Sequence, residues 1–349
     1  MVDWDLAVAA ATKLAGPGPD ITRVEAEAVV AELRAGAERS TPLVAEFTGL
    51  YAERHTAPLL VVDRAGWIQA NADGFAHIIS PLIAKLRDQR GAPSPITEAV
   101  GSRITGLEVG GLLGFLSSKV LGQFDPFWAP AGATEAGRML LVAPNIVHVE
   151  NQLAVDPTDF RLWVCLHEET HRVQFTAVDW MRDHIHAEIE NLVGSVEVEP
   201  GRLAALLGEG VKRIGEVMRG DEDTSIIDLV STPEQREVLD RITAVMSLLE
   251  GHADVVMDGV GPEIIPSVAK IRRKFDQRRK GAGYFDRVLR RLLGLDAKMA
   301  QYRNGAAFVN GAIDKVGMEG FNAVWATPAN LPTKAEIGDP AAWVSRVHG

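Results

Sequence analysis

The stretch CLHEETHRVQF, residues 165–175, sets two histidines four positions apart with a glutamate directly after the first. What such a stretch can do depends on its backbone, and the residues upstream specify a helix. Asp156 stands where an N-cap accepts backbone N–H bonds, Pro157 suits the first helical position, and Asp159 puts an acidic group in the first turn. The motif then lies about three turns into the helix. Positions four apart differ there by about 40° in azimuth and ~6 Å in height, so His167 and His171 share a face and can aim at one point.

Two imidazoles converging on a point can hold a metal ion. Glu168 would not complete a compact coordination set, but it can reach a water bound at the metal's open position and act as general base. Short strings of this kind also fall on ordinary polar helix faces. Here the capped helix follows the run RMLLVAPNIVHVE (138–150), where Ile146, Val147, His148 and Val149 suit a strand. A helix for ligands and a strand edge for an extended substrate is the arrangement of a zinc peptidase.

Catalytic zinc takes three protein ligands and a water, so a third ligand is required. The candidates are His184, His186, Glu250, His252 and Asp254. A third histidine six residues past the motif is absent, since that position is Ala177. His184 and His186, two apart on the next helix, face different ways and read as surface or boundary histidines. The run LLEGHAD places Glu250 and Asp254 four apart on a helix restarted by Thr232, Pro233 and Gln235. One carboxylate can bind metal while the other orients a ligand histidine, and the apolar neighbours Leu248, Leu249, Val255 and Val256 argue against a merely solvated acidic face.

Cys165 is the single cysteine, which excludes an internal disulfide and any all-cysteine zinc cluster. Two residues from His167, it points away around the helix and reads as a buried, inert thiol.

The chain has 349 residues, 46% of them hydrophobic, enough for a substantial core. With 36 basic against 47 acidic residues and a net charge of −11, nucleic-acid binding has no global electrostatic support. The basic runs KIRRKFDQRRK (270–280) and DRVLRRLL (286–293) read as solvated helix faces. MVDWDLAVAAATKLAGPGPD does not resemble a signal peptide, and a cytoplasmic location is expected. Residues 101–127 are apolar, with Gly106, Gly110 and Gly114 four apart, yet contain Glu108 and Lys119. A buried helix packed closely through its glycines is expected there, rather than membrane contact.

ITRVEAEAVVAELRAGAE and GFAHIISPLIAKLRDQR read as amphipathic helices, DRAGWIQANADG as a turn-rich break, and Trp325 and Trp343 as packing anchors in a proline-rich tail. Helices are also expected through WMRDHIHAEIENLVGSV and GRLAALLGEGVKRIGEVMRG. The expected fold is mainly α with a small β-sheet: a helical N-terminal region over 1–135 and a metal-bearing catalytic region over 136–349.

An H-E-x-x-H string followed on a second helix by Glu-x-x-x-Asp resembles the glutamate-ligand branch of the zincin metallopeptidases, as in thermolysin-like enzymes. More closely, HEETHRVQF, LLEGHADVVMDGVG, LLGLDAKMAQYRNGAAFV and NAVWATPANLP together resemble an actinobacterial group of uncharacterised zincin-like proteins labelled as hydrolases or "coenzyme F420 biosynthesis-associated", over roughly residues 135–345. The label reflects association and names no reaction.

The zincin resemblance implies His167, His171 and Glu250 as zinc ligands, Glu168 as base and Asp254 as a partner of His167. The chain departs from the pattern in the long separation of 79 positions from the second histidine to the glutamate (250 − 171). Peptide hydrolysis also needs a donor for the developing oxyanion, for which Tyr302, Arg303 and His252 are available; Tyr302 is the expected one. Asn145 and His148 could line the cleft, although structural roles suit them as well. The expected activity is zinc-dependent hydrolysis of a peptide or protein substrate. Two readings compete with it: a non-catalytic protein of the same fold holding a peptide or protein partner, and an accessory protein acting through its helical N-terminal half.

Overall fold

The computed structural model describes residues 2–52, 57–90, 95–129, 137–194, 232–280 and 295–349. The expected helix over 201–220 and the basic run 286–293 lie outside them. The chain forms two compact units, one of Met1–Ala177 with Met257–Arg272 and one of Val178–Val256 with Arg273–Gly349.

The first unit is built on a three-stranded sheet in the order β1-β3-β2. β1 (Leu59–Val62) runs parallel to β3 (Arg138–Val142), and β2 (Gly122–Asp125) runs antiparallel to it. Every residue of β3 is buried, as a central strand covered on both faces requires. β1 and β3 come from either side of residue 135, so sequence on both sides of that point shares one sheet within the first unit.

Helices α1 (Trp4–Ala15), α2 (Arg23–Thr48), α3 (Arg64–Arg90) and α4 (Pro95–Ser117) precede β3. α2 starts in a capping box between Thr22 and Glu25. The stretch expected as a turn-rich break is the first part of α3, started by Asp63, whose carboxylate accepts the Gly66 N–H at 2.7 Å. Trp67, Ile68, Leu113, Leu140 and Val142 form a core between these helices and the sheet.

The glycine spacing in α4 does what was expected of it. A Cβ on Gly106 would lie 2.6 Å from the Asp3 carbonyl oxygen, and one on Gly110 would lie 2.7 Å from that of Ala7, so α1 and α4 meet backbone to backbone. No described helix is long and apolar enough to cross a membrane.

The strand expected over 146–149 is corrected. β3 ends at Val142, and α5 (Ala143–Leu153) follows at once, with Pro144 in its first turn. Asn145, Ile146, Val149, Glu150 and Leu153 are buried, a helical spacing that outweighs the β-preference of Ile and Val. Asn145 has a structural role: its amide donates to the Ser117 and Val120 carbonyls, both at 2.7 Å, and accepts from Arg64 Nε at 2.8 Å. α6 (Pro157–Thr176) completes the run, capped by Asp156 as the sequence indicates.

In the second unit, α7 (Met181–Gly194) precedes α8 (Pro233–Gly259), whose last turn from Met257 belongs to the first unit. α9 (Val268–Lys280), whose residues up to Arg272 belong to the first unit, carries the basic run 270–280. α10 (Leu295–Phe321) breaks at Gly317, where φ is 70°. Short 3-10 turns, α11 (Lys334–Ile337) and α12 (Pro340–His348) form the tail. Trp343 packs against Phe308 and Phe321 with ring centroids 5.6 and 6.1 Å away, and Trp325 against Phe321 at 6.1 Å, so both tryptophans anchor the tail as expected.

Candidate metal centre

α6 positions the motif because it is held on two sides. Toward α2, Arg161 bridges Glu32 and the buried Glu150, Cys165 Sγ lies 3.6 Å from the Leu33 carbonyl oxygen, and Arg172 donates to Thr41 Oγ1 at 3.0 Å. Arg172 also donates to both oxygens of the fully buried Glu169, at 2.6 and 2.9 Å. Burial pushes the Glu169 carboxyl pKa up, against the pull of Arg172 and Thr41. Toward residues 257–272, Trp163 Nε1 donates to Asp258 at 3.2 Å and Asp159 accepts the Ser267 N–H at 2.8 Å.

Cys165 is inert for the expected reason: burial first, then the nearby Glu168, Glu169 and Glu32 carboxylates, drive its thiol pKa upward. It takes no part in the site.

The two histidines do meet. Their Nε2 atoms are 3.2 Å apart, with the rings at 89° to each other and centroids 4.7 Å apart. His171 Nδ1 lies 2.9 Å from Oε1 of the fully buried Gln174. An amide oxygen only accepts, so it fixes the proton on Nδ1 and leaves the Nε2 lone pair facing His167. Two imidazole nitrogens at tetrahedral positions ~2.05 Å from zinc would be roughly 3.3 Å apart, so this pair fits such an ion.

Gln174 was not singled out from the sequence. Its signal was position alone, three residues after His171 on the same helix. Replacing it by leucine removes the acceptor that fixes the tautomer. Zinc affinity of Gln174→Leu, measured by competition with a chromophoric chelator, is expected to fall about 10–100-fold.

Glu168 is buried beside His167 on α6. Glu250 and Asp254 lie in the second unit, four apart on α8, which starts in the capping box read from Thr232 and Gln235. Both are half-buried, and Leu248, Leu249, Ala253 and Val256 around them are fully buried.

The other candidates have packing or surface roles. His252 is buried between Phe321 and Trp325. His184 packs on Trp180, where burial lowers its pKa, and His186 sits half-exposed 3.7 Å from Glu190. His148 is on the exposed side of α5. Tyr302 falls on the α10 backbone, and its side chain and that of Arg303 lie outside the described residues.

A family model described as "Zincin-like metallopeptidase" matches residues 2–344. None of the curated proteins matches the chain. Among solved structures, it is similar to a crystal structure described as a "putative hydrolase with a novel fold" from Chloroflexus aurantiacus. The two share 30% identity and a TM-score of 0.71, over 99% of this chain and 98% of that one.

Proposed function

The chain belongs to the zincin-like metallopeptidase family, and from that premise we propose that it is a zinc-dependent peptidase with Glu168 as its general base. The observation that carries this reading is the 3.2 Å approach of the His167 and His171 Nε2 atoms, with the His171 tautomer set by Gln174. In this reading, which follows the zincin resemblance, His167, His171 and Glu250 hold the ion, and Asp254 orients His167. That assignment puts the chain in the glutamate-ligand branch, beside the F420-associated group whose motifs it resembles.

Zinc, when bound, supplies Lewis acidity toward a carbonyl and lowers the pKa of water. Glu168 takes a proton from the attacking water and delivers it to the leaving amine. Tyr302 is proposed as the donor to the oxygen that gains charge. The substrate is a peptide or protein segment. β2 pairs with β3 on one side only among the described residues, and its other edge can take up an extended chain.

The test combines anomalous diffraction at the zinc edge with peptide cleavage. The expected result is one peak bonded to His167, His171 and Glu250, and cleavage of a quenched-fluorescent peptide library that 1,10-phenanthroline abolishes and added zinc restores. Four protein ligands on the ion, with no peptide cleaved, would favour the non-catalytic peptide holder instead.

A further inference from the structure

Gly122 begins β2, and strand alternation puts it on the same face as Phe124. That face meets α6: Phe124 stacks on Phe175 with centroids 5.6 Å apart, and Gly122 lies against Glu168. A Cβ on Gly122 would sit 2.5 Å from Glu168 Cγ, 2.6 Å from Cδ and 2.7 Å from Oε1. Gly122 is not among the glycines with positive φ, so its backbone is open to any residue and the demand for glycine is purely one of space.

The strand has no room to retreat. On its other face, Gln123 Oε1 accepts from Trp67 Nε1 at 2.7 Å and from Asn71 Nδ2 at 3.2 Å, and Gln123 Nε2 donates to Asn71 Oδ1 at 3.0 Å. Asn71 Nδ2 also donates to the Trp67 carbonyl at 2.9 Å. This amide clamp ties β2 to α3, so a side chain added at 122 must displace the Glu168 carboxylate instead of the strand.

We infer that Gly122 is a positioning residue for Glu168: the bare backbone of β2, held by the Gln123–Asn71–Trp67 clamp, is the wall that fixes where the carboxylate sits. The inference rests on Glu168 acting as the base. A base displaced by about 1 Å can lose on the order of 10²-fold in rate.

The test uses the cobalt(II)-loaded full chain and acetohydroxamic acid, whose oxygens ligate a metal and whose proton is shared with a neighbouring carboxylate. Gly122→Ala is expected to take up one cobalt with the wild-type visible spectrum but to bind acetohydroxamate about tenfold more weakly. In a Glu168→Ala background, adding Gly122→Ala should change neither that affinity nor the melting temperature. Wild-type affinity in Gly122→Ala, or equal weakening in both backgrounds, would overturn the inference.

If Gly122→Ala alone is insoluble, recovery of a cooperatively melting protein in the Gly122→Ala/Glu168→Ala double variant supports the contact, and an insoluble double variant overturns it. A wild-type chain that takes up no cobalt overturns the metal reading itself, and the positioning role of Gly122 with it.

Discussion

Replacing Glu168 by glutamine is expected to leave zinc content at one ion per chain and to lower kcat by about 10²–10⁴-fold. The amide has the shape of the carboxylate, so it can occupy the same place against Gly122 and leaves His167 and His171 undisturbed. What it lacks is the capacity to accept a proton. The loss therefore falls on the step that moves a proton from water, and KM should change little. His171→Ala provides the contrast, since in the proposed reading it removes a ligand and should lose both metal and activity. Metal analysis and steady-state kinetics on the two variants separate ligand from base. Full turnover in Glu168→Gln with zinc retained would remove Glu168 from the mechanism.

The second large effect is on stability. Gly251 on α8 and Gly305 on α10 face each other within the second unit, and a Cβ on Gly305 would sit far inside van der Waals contact of the Ser247 carbonyl oxygen. Helix propensity alone would make Gly305→Ala stabilising by roughly 0.5–1 kcal/mol. The crossing reverses that sign, because two backbones in contact have no flexible side chain to yield. Overpacking of this kind costs about 1–3 kcal/mol, so the urea midpoint of Gly305→Ala should fall visibly below that of the wild type. A midpoint unchanged or raised would mean that the helices do not touch at these glycines.

The helical parts of the fold were legible where caps and spacing agree. Asp156, Pro157 and Asp159 located α6, Thr232 with Gln235 located the start of α8, and the glycines of α4 identified a close helix contact. At Ile146–Val149 the β-preference of Ile and Val conflicts with the spacing, in which Asn145, Ile146, Val149 and Glu150 repeat as one face of a helix. β1 and β2, of four residues each, are too short to carry a periodic signal, and their pairing with β3 is a long-range matter that local sequence does not encode.

Within the site, His167 and His171 could be read because four-residue spacing is local to one helix. Gln174 and Gly122 could not. The first is one of many polar residues on a helix, and the second acts through the absence of atoms, at a place that only the sheet brings beside Glu168.

α6 is secured by contacts that involve no metal: Arg161 to Glu32 and Glu150, Arg172 to Glu169 and Thr41, and Asp159 to the Ser267 backbone. In small domains whose ligands come together only around the ion, metal loss and unfolding are one event. Here the histidine pair is presented by a helix with side-chain contacts of its own on two sides. If the chain holds zinc as proposed, stripping the ion with a chelator is expected to leave this helix folded, so metal loss and unfolding would be separate events.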